Sequence, residues 1–94
     1  MGNRNYIKGR QKEYSVMRML EATGFNCIRA SGSHGIFDVI AFGLGQVRMI
    51  QVKADCTMDD VEIEIAQNIK VPIGVTKELW IFTKGNRTPN IRIL

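Results

Sequence analysis

The sequence predicts an α/β domain in which a mixed sheet is covered by helices on both faces. Apolar residues near the N-terminus recur at helical spacing, and short strand-like runs follow. Two of those runs, IFDVIAF and VRMIQVKA, are apolar on both faces, which places them inside a sheet rather than at its surface. A second helical segment separates the third run from the fourth. Ninety-four residues, 45% hydrophobic and 23% charged, suit one domain spanning residues 1–94 and exclude a disordered chain.

The elements follow in order. From about Gly9 to Thr23, Val16, Met17 and Leu20 form a helical stripe, and Gly24 is a natural stop. Phe25 to Ala30 reads as a strand, ended by the loop Ser31-Gly32-Ser33-His34-Gly35. Ile36 to Phe42 and Val47 to Ala54 are the second and third strands, joined by Gly43-Leu44-Gly45 as a hairpin. Thr57 to Lys70 fits both periods. Its start, Thr57 with Asp59 and Asp60, favours a helix, and Pro72 and Gly74 end it. Glu78 to Lys84 is a fourth strand, and Ile91 to Leu94 adds a fifth.

No apolar run approaches the roughly 20 residues that cross a bilayer, and the polar, basic stretch Met1 to Arg10 lacks a signal-peptide core. A cytoplasmic protein with no membrane partner is expected. Cys27 and Cys56 are far apart and form no metal-binding spacing, so two reduced thiols are expected. With one histidine and two cysteines as its soft ligands, the composition argues against zinc. The net charge is +4. Arg4, Lys8, Arg10, Lys12 and Arg18 crowd the N-terminal segment while Asp55 to Glu64 is acidic, and nucleic acid is the natural partner of the positive side.

One acid breaks the apolar pattern of the second strand. Burying Asp38 there costs several kcal/mol unless something pairs with it. Across the hairpin, Gln51 and Lys53 share one face of the third strand. On the helix, at ~100° per residue, Glu13 falls within the stripe of Val16, Met17 and Leu20. Taken singly, these residues read as a buried Asp38–Lys53 ion pair and a solvated rim acid. Taken together, they read as a hard-oxygen metal site with a lysine beside it. That set suits phosphodiester hydrolysis with Mg²⁺, or Mn²⁺ as a substitute.

The string Glu13, Gly32-Ser33-x-Gly35-x-x-Asp38, Ile50-Gln51-Val52-Lys53 resembles the PD-(D/E)xK nuclease superfamily. It is most similar to archaeal-type Holliday junction resolvases and their small phage relatives. The likeness runs from about Gly9 to Phe82 and implies a restriction-endonuclease-like αβββαβ core. It implies that Asp38 is the central metal ligand and Lys53 the catalytic lysine, with Glu13 reaching the metal directly or through water. Gln51 would stand where the family usually has an acid, and Ser33 would match a loop serine beside the scissile phosphate. It also implies a four-way junction as substrate and a homodimer, since two symmetric nicks need two sites. Two positions depart from the pattern. Phe37 stands where proline is common, and Gln51 removes one negative charge from the site. A nicking or restriction-type endonuclease, or a DNA-binding module with a decayed metal site, is the alternative reading.

His34, in the glycine-flanked loop, serves either a phosphate contact or only a turn. Arg4, Lys8, Arg10 and Arg29 are expected to contact the DNA backbone, with Lys84 and Arg87 as a second patch. Trp80 is expected in the core rather than as a base-stacking platform.

Overall fold

In the computed structural model, which describes residues 3–30 and 35–94 with side chains from residue 9, helix α1 spans Asn3–Glu21. It begins well before the expected start, because Gly9 lies inside the helix and costs it only about 1 kcal/mol. Val16 and Leu20 of its apolar stripe are buried. The helix ends where expected. Phe25 N–H reaches back to the Leu20 carbonyl at 3.1 Å across Gly24, whose φ of +103° suits glycine.

Five strands follow: β1 (Asn26–Arg29), β2 (Val39–Gly43), β3 (Gln46–Ala54), β4 (Val75–Phe82) and β5 (Asn90–Ile93), with α2 (Asp60–Asn68) between β3 and β4. They form one sheet in chain order. Strands β3 and β4 are parallel, and the other neighbours are antiparallel. The predicted hairpin is present, with Gly43 opposite Gln46. Its two turn residues, Leu44 (φ 54°) and Gly45 (φ 74°), both have the positive φ that matches strand twist. The ambiguous segment is helix. Asp59 caps α2 by accepting Glu62 N–H at 2.8 Å, and the Glu62 carboxylate accepts Asp59 N–H in return.

The sheet is covered on both faces. On one, Val16 and Leu20 of α1 pack with Phe25, Val39, Ala41, Ile50, Val52, Trp80 and Phe82, so Trp80 is core. On the other, Phe37, Met58, Ala66 of α2 and Leu79 form a second cluster. A β4 residue finishes α2: Lys77 Nζ donates to the carbonyls of Ala66, Gln67 and Ile69 at 2.7–2.8 Å, supplying the cation that the helix's own last turn lacks. Cys27 and Cys56 are free thiols. Among the described residues no helix is long and apolar enough to cross a membrane.

One expectation is corrected. The sequence predicts Asp38 inside a strand from Ile36 to Phe42, but β2 begins at Val39. Asp38 N–H donates at 2.8 Å to the carbonyl of Ile50, the residue already opposite Val39. Two residues facing one is the pattern of a β-bulge. The extra residue reverses the side-chain alternation, so Phe37 packs against the α2 side while Val39 packs against the α1 side.

Candidate active site

The bulge is what positions Asp38. Strand β3 pairs with β2 only as far as Ile50, and its last residues continue alone alongside β4. The Val52 N–H has no β2 residue beside it, and the Asp38 carboxylate fills that place, accepting the amide through Oδ2 at 2.9 Å. The side chain therefore sits at the open edge of β3, where the two faces of the sheet meet.

Burial pushes the Asp38 carboxyl up from its ordinary 3.8 to about 6. The Glu13 carboxylate adds to the rise. The Val52 hydrogen bond, Lys53 and Arg29 oppose it but do not cancel it. Glu13 from α1, Lys53 from β3 and Arg29 from β1 thus all act on Asp38 electrostatically. Gln51 is 8% exposed. By strand alternation it lies with Lys53 on the face toward α2, each one residue from the amide that holds Asp38.

The alternative reading of Asp38 and Lys53 as a simple buried ion pair does not describe the lysine's contacts. Lys53 Nζ lies 3.6 Å from Glu62 Oε2, and Glu62 is also the acid of the α2 capping box. Nor is Glu13 simply aimed inward. Its Oε1 accepts from Arg29 Nε at 2.8 Å, both side chains being mostly buried. Arg29 Nη1 donates to the Tyr14 hydroxyl at 3.2 Å, and the guanidinium lies 5.1 Å from that ring's centre. Arg29 is therefore joined to the site through Glu13. Arg10, Lys84 and Arg87 are exposed as expected. Ser33, His34 and the side chains of Arg4 and Lys8 lie outside the described residues.

Sequence reasoning missed Glu62, although the Asp59-x-x-Glu62 capping signature marks it. It also gave no role to Arg48 or Glu78. Glu78, 2% exposed on β4, accepts two hydrogen bonds from Arg48 at 2.8 Å and one each from Thr76 and Trp80 Nε1. Burial raises its pKa, but the Arg48, Trp80 and Thr76 hydrogen bonds outweigh that and leave it lowered.

Among the described residues no three His, Cys, Asp or Glu side chains converge to hold a metal. The oxygens present are the Asp38 and Glu13 carboxylates and the Gln51 amide. They fit a hard divalent cation that keeps several waters, because a desolvated carboxylate raised by a neighbouring like charge is relieved by a cation.

A family model described as archaeal Holliday junction resolvase (Hjc) matches residues 4–75. The chain belongs to this resolvase family. It is therefore a junction-resolving DNA endonuclease of a family that uses divalent metal. The Hjc fold is also found in a solved structure of Archaeoglobus fulgidus Hjc, a Holliday junction resolvase from an archaeal hyperthermophile. That protein is 20% identical, with a TM-score of 0.71 over 93% of this chain and 71% of the other. No curated protein sequence matches the chain.

Proposed function

We propose that residues 1–94 form one nuclease domain that nicks four-way DNA junctions at Asp38, Glu13, Gln51 and Lys53, with Mg²⁺ as the natural ion and Mn²⁺ as a substitute. The observation that carries this reading is the Asp38 carboxylate, held at the open edge of β3 by the Val52 amide and raised to about 6. The Val52 hydrogen bond does not offset the burial of this carboxylate, whereas a bound cation would favour its charged form.

Asp38, Glu13 and the Gln51 side-chain oxygen would hold the ion. When bound there, it lowers the pKa of water and neutralises charge on the phosphate. Lys53, tethered by Glu62, donates to a non-bridging oxygen of the scissile phosphate as charge builds in the pentacovalent transition state. Arg29 holds Glu13 in position. Ser33 and His34, shortly before Asp38 in the sequence, complete the phosphate contacts, and Arg4, Lys8, Arg10, Lys84 and Arg87 steer the backbone.

The working unit is a homodimer in the cytoplasm. Exposed Val61 and Ile65 on α2, with Ile91 and Ile93 on β5, offer apolar surface for it. The test is cleavage in Mg²⁺ of a labelled four-way junction against linear duplex of the same sequence. Symmetric nicks in the junction alone support the reading, and equal cutting of duplex overturns the junction preference.

A further inference from the structure

A cavity of about 350 Å³ opens at the carboxyl end of the parallel β3–β4 pair, lined by Lys12, Asp55, Phe82, Lys84, Asn86 and Arg87 among others. That is within the ~300–1,000 Å³ range of small-ligand sites. Its place is set by the register: Lys53 is opposite Ile81, and Ala54 opposite Phe82. Along the strands the cavity therefore begins at Phe82, one register step beyond Lys53 and on the face toward α1. On its other side, Lys12 immediately precedes Glu13 on α1.

Three cations line it, against one acid. Asp55 is engaged in holding the wall. Its Oδ1 accepts Lys84 N–H at 2.6 Å and its own N–H donates to the Phe82 carbonyl at 2.7 Å, in a left-handed backbone conformation (φ 59°). These bonds dock the turn after β4 onto the end of β3, and the turn is closed by Asn86 N–H on the Thr83 carbonyl. Lys12 Nζ lies 5.2 Å from the centre of the Phe82 ring, which forms the apolar floor. The chain builds a positive, concave wall beside the cutting site from three separate elements.

We propose that this cavity binds one nucleotide of the cut strand next to the scissile phosphate, its backbone phosphate held by Lys12, Lys84 and Arg87. The inference rests on the endonuclease reading above and names the subsite that registers the strand. A free phosphate is too small to fill such a cavity, whereas a phosphodiester with its sugar places the anion among the cations and apolar atoms near Phe82.

The test uses the full chain carrying Asp38→Asn, expected to bind without cutting, and four-way junctions, kept free of divalent ions, in which one phosphodiester at a time is replaced by a neutral methylphosphonate. Binding by fluorescence anisotropy is expected to weaken on the order of tenfold for replacement at one or two positions flanking the scissile phosphate. Adding Lys12→Gln, Lys84→Gln and Arg87→Gln should abolish the sensitivity at those positions alone. The slope of log affinity against log salt should fall by about 0.9 for each phosphate no longer bound. Unchanged melting of the triple variant separates weakened DNA binding from a disrupted fold, and Lys84→Glu provides a second variant that leaves Lys12 on its ring. If the triple variant keeps the same sensitive positions, the subsite is wrong while the nuclease stands. If the parent chain cuts no DNA in Mg²⁺, the underlying reading falls instead.

Discussion

The Asp38 carboxylate accepts the backbone amide of Val52 at 2.9 Å, so one side chain both completes the sheet edge and supplies the central acid of the site. The two roles pull in opposite directions. The hydrogen bond fixes the carboxylate, while burial and Glu13 resist its ionisation.

That conflict has a thermodynamic signature. Asp38→Asn retains an oxygen for the Val52 amide and removes the charge. Because the folded-state value is about 6 against an ordinary 3.8, the native protein without divalent metal loses stability as pH rises through that window. The variant should therefore be more stable by roughly 1–3 kcal/mol at pH 8, with the gain fading toward pH 3.8. Urea unfolding of both proteins across that range measures it.

Gln51→Glu restores a third carboxylate. Divalent-ion affinity rises with ligand charge, so Mg²⁺ titration calorimetry should show binding tightened about tenfold. Unchanged or weaker affinity would remove Gln51 from the ligand set.

Glu78 behaves oppositely to Asp38. Its pKa is lowered by the Arg48, Trp80 and Thr76 hydrogen bonds despite the cost of burial. Its contribution is present above the ordinary carboxylate value and lost as pH falls through the lowered one. Glu78→Gln should cost about 3 kcal/mol at pH 7, and the loss should shrink in acid. Denaturation midpoints at pH 7 and pH 3 decide this.

Lys77→Met removes the donor to two α2 carbonyls and that of the C-cap residue Ile69 while keeping the aliphatic stem. A loss of about 2–3 kcal/mol, with hydrogen exchange faster at the end of α2 than elsewhere, is expected.

These residues show how far sequence reasoning reaches. The hairpin was legible because Gly43-Leu44-Gly45 constrains the turn, and α2 because Asp59 and Asp60 start it. Asp38 interrupts an apolar run and Glu78 follows Thr76 and Lys77 at the start of one, yet the first faces the site's open edge and the second is buried and saturated by four hydrogen bonds. Their partners distinguish them, and two of these, Val52 for Asp38 and Arg48 for Glu78, come from distant parts of the chain. The bulge at Asp38 was illegible for a related reason. It is a mismatch of register between strands, visible only once Val39 and Asp38 are both found facing Ile50. The pairing of Glu13 with Arg29 and of Lys53 with Glu62 is likewise tertiary.

The most direct test of the central claim is nicking of a labelled four-way junction in Mg²⁺ by the native chain, Asp38→Asn and Lys53→Ala, each shown by anisotropy to bind the junction. A site centred on Asp38 and Lys53 predicts cutting by the native chain and a loss of at least about a hundredfold in each variant, with binding retained. Comparable cutting by Asp38→Asn would contradict it.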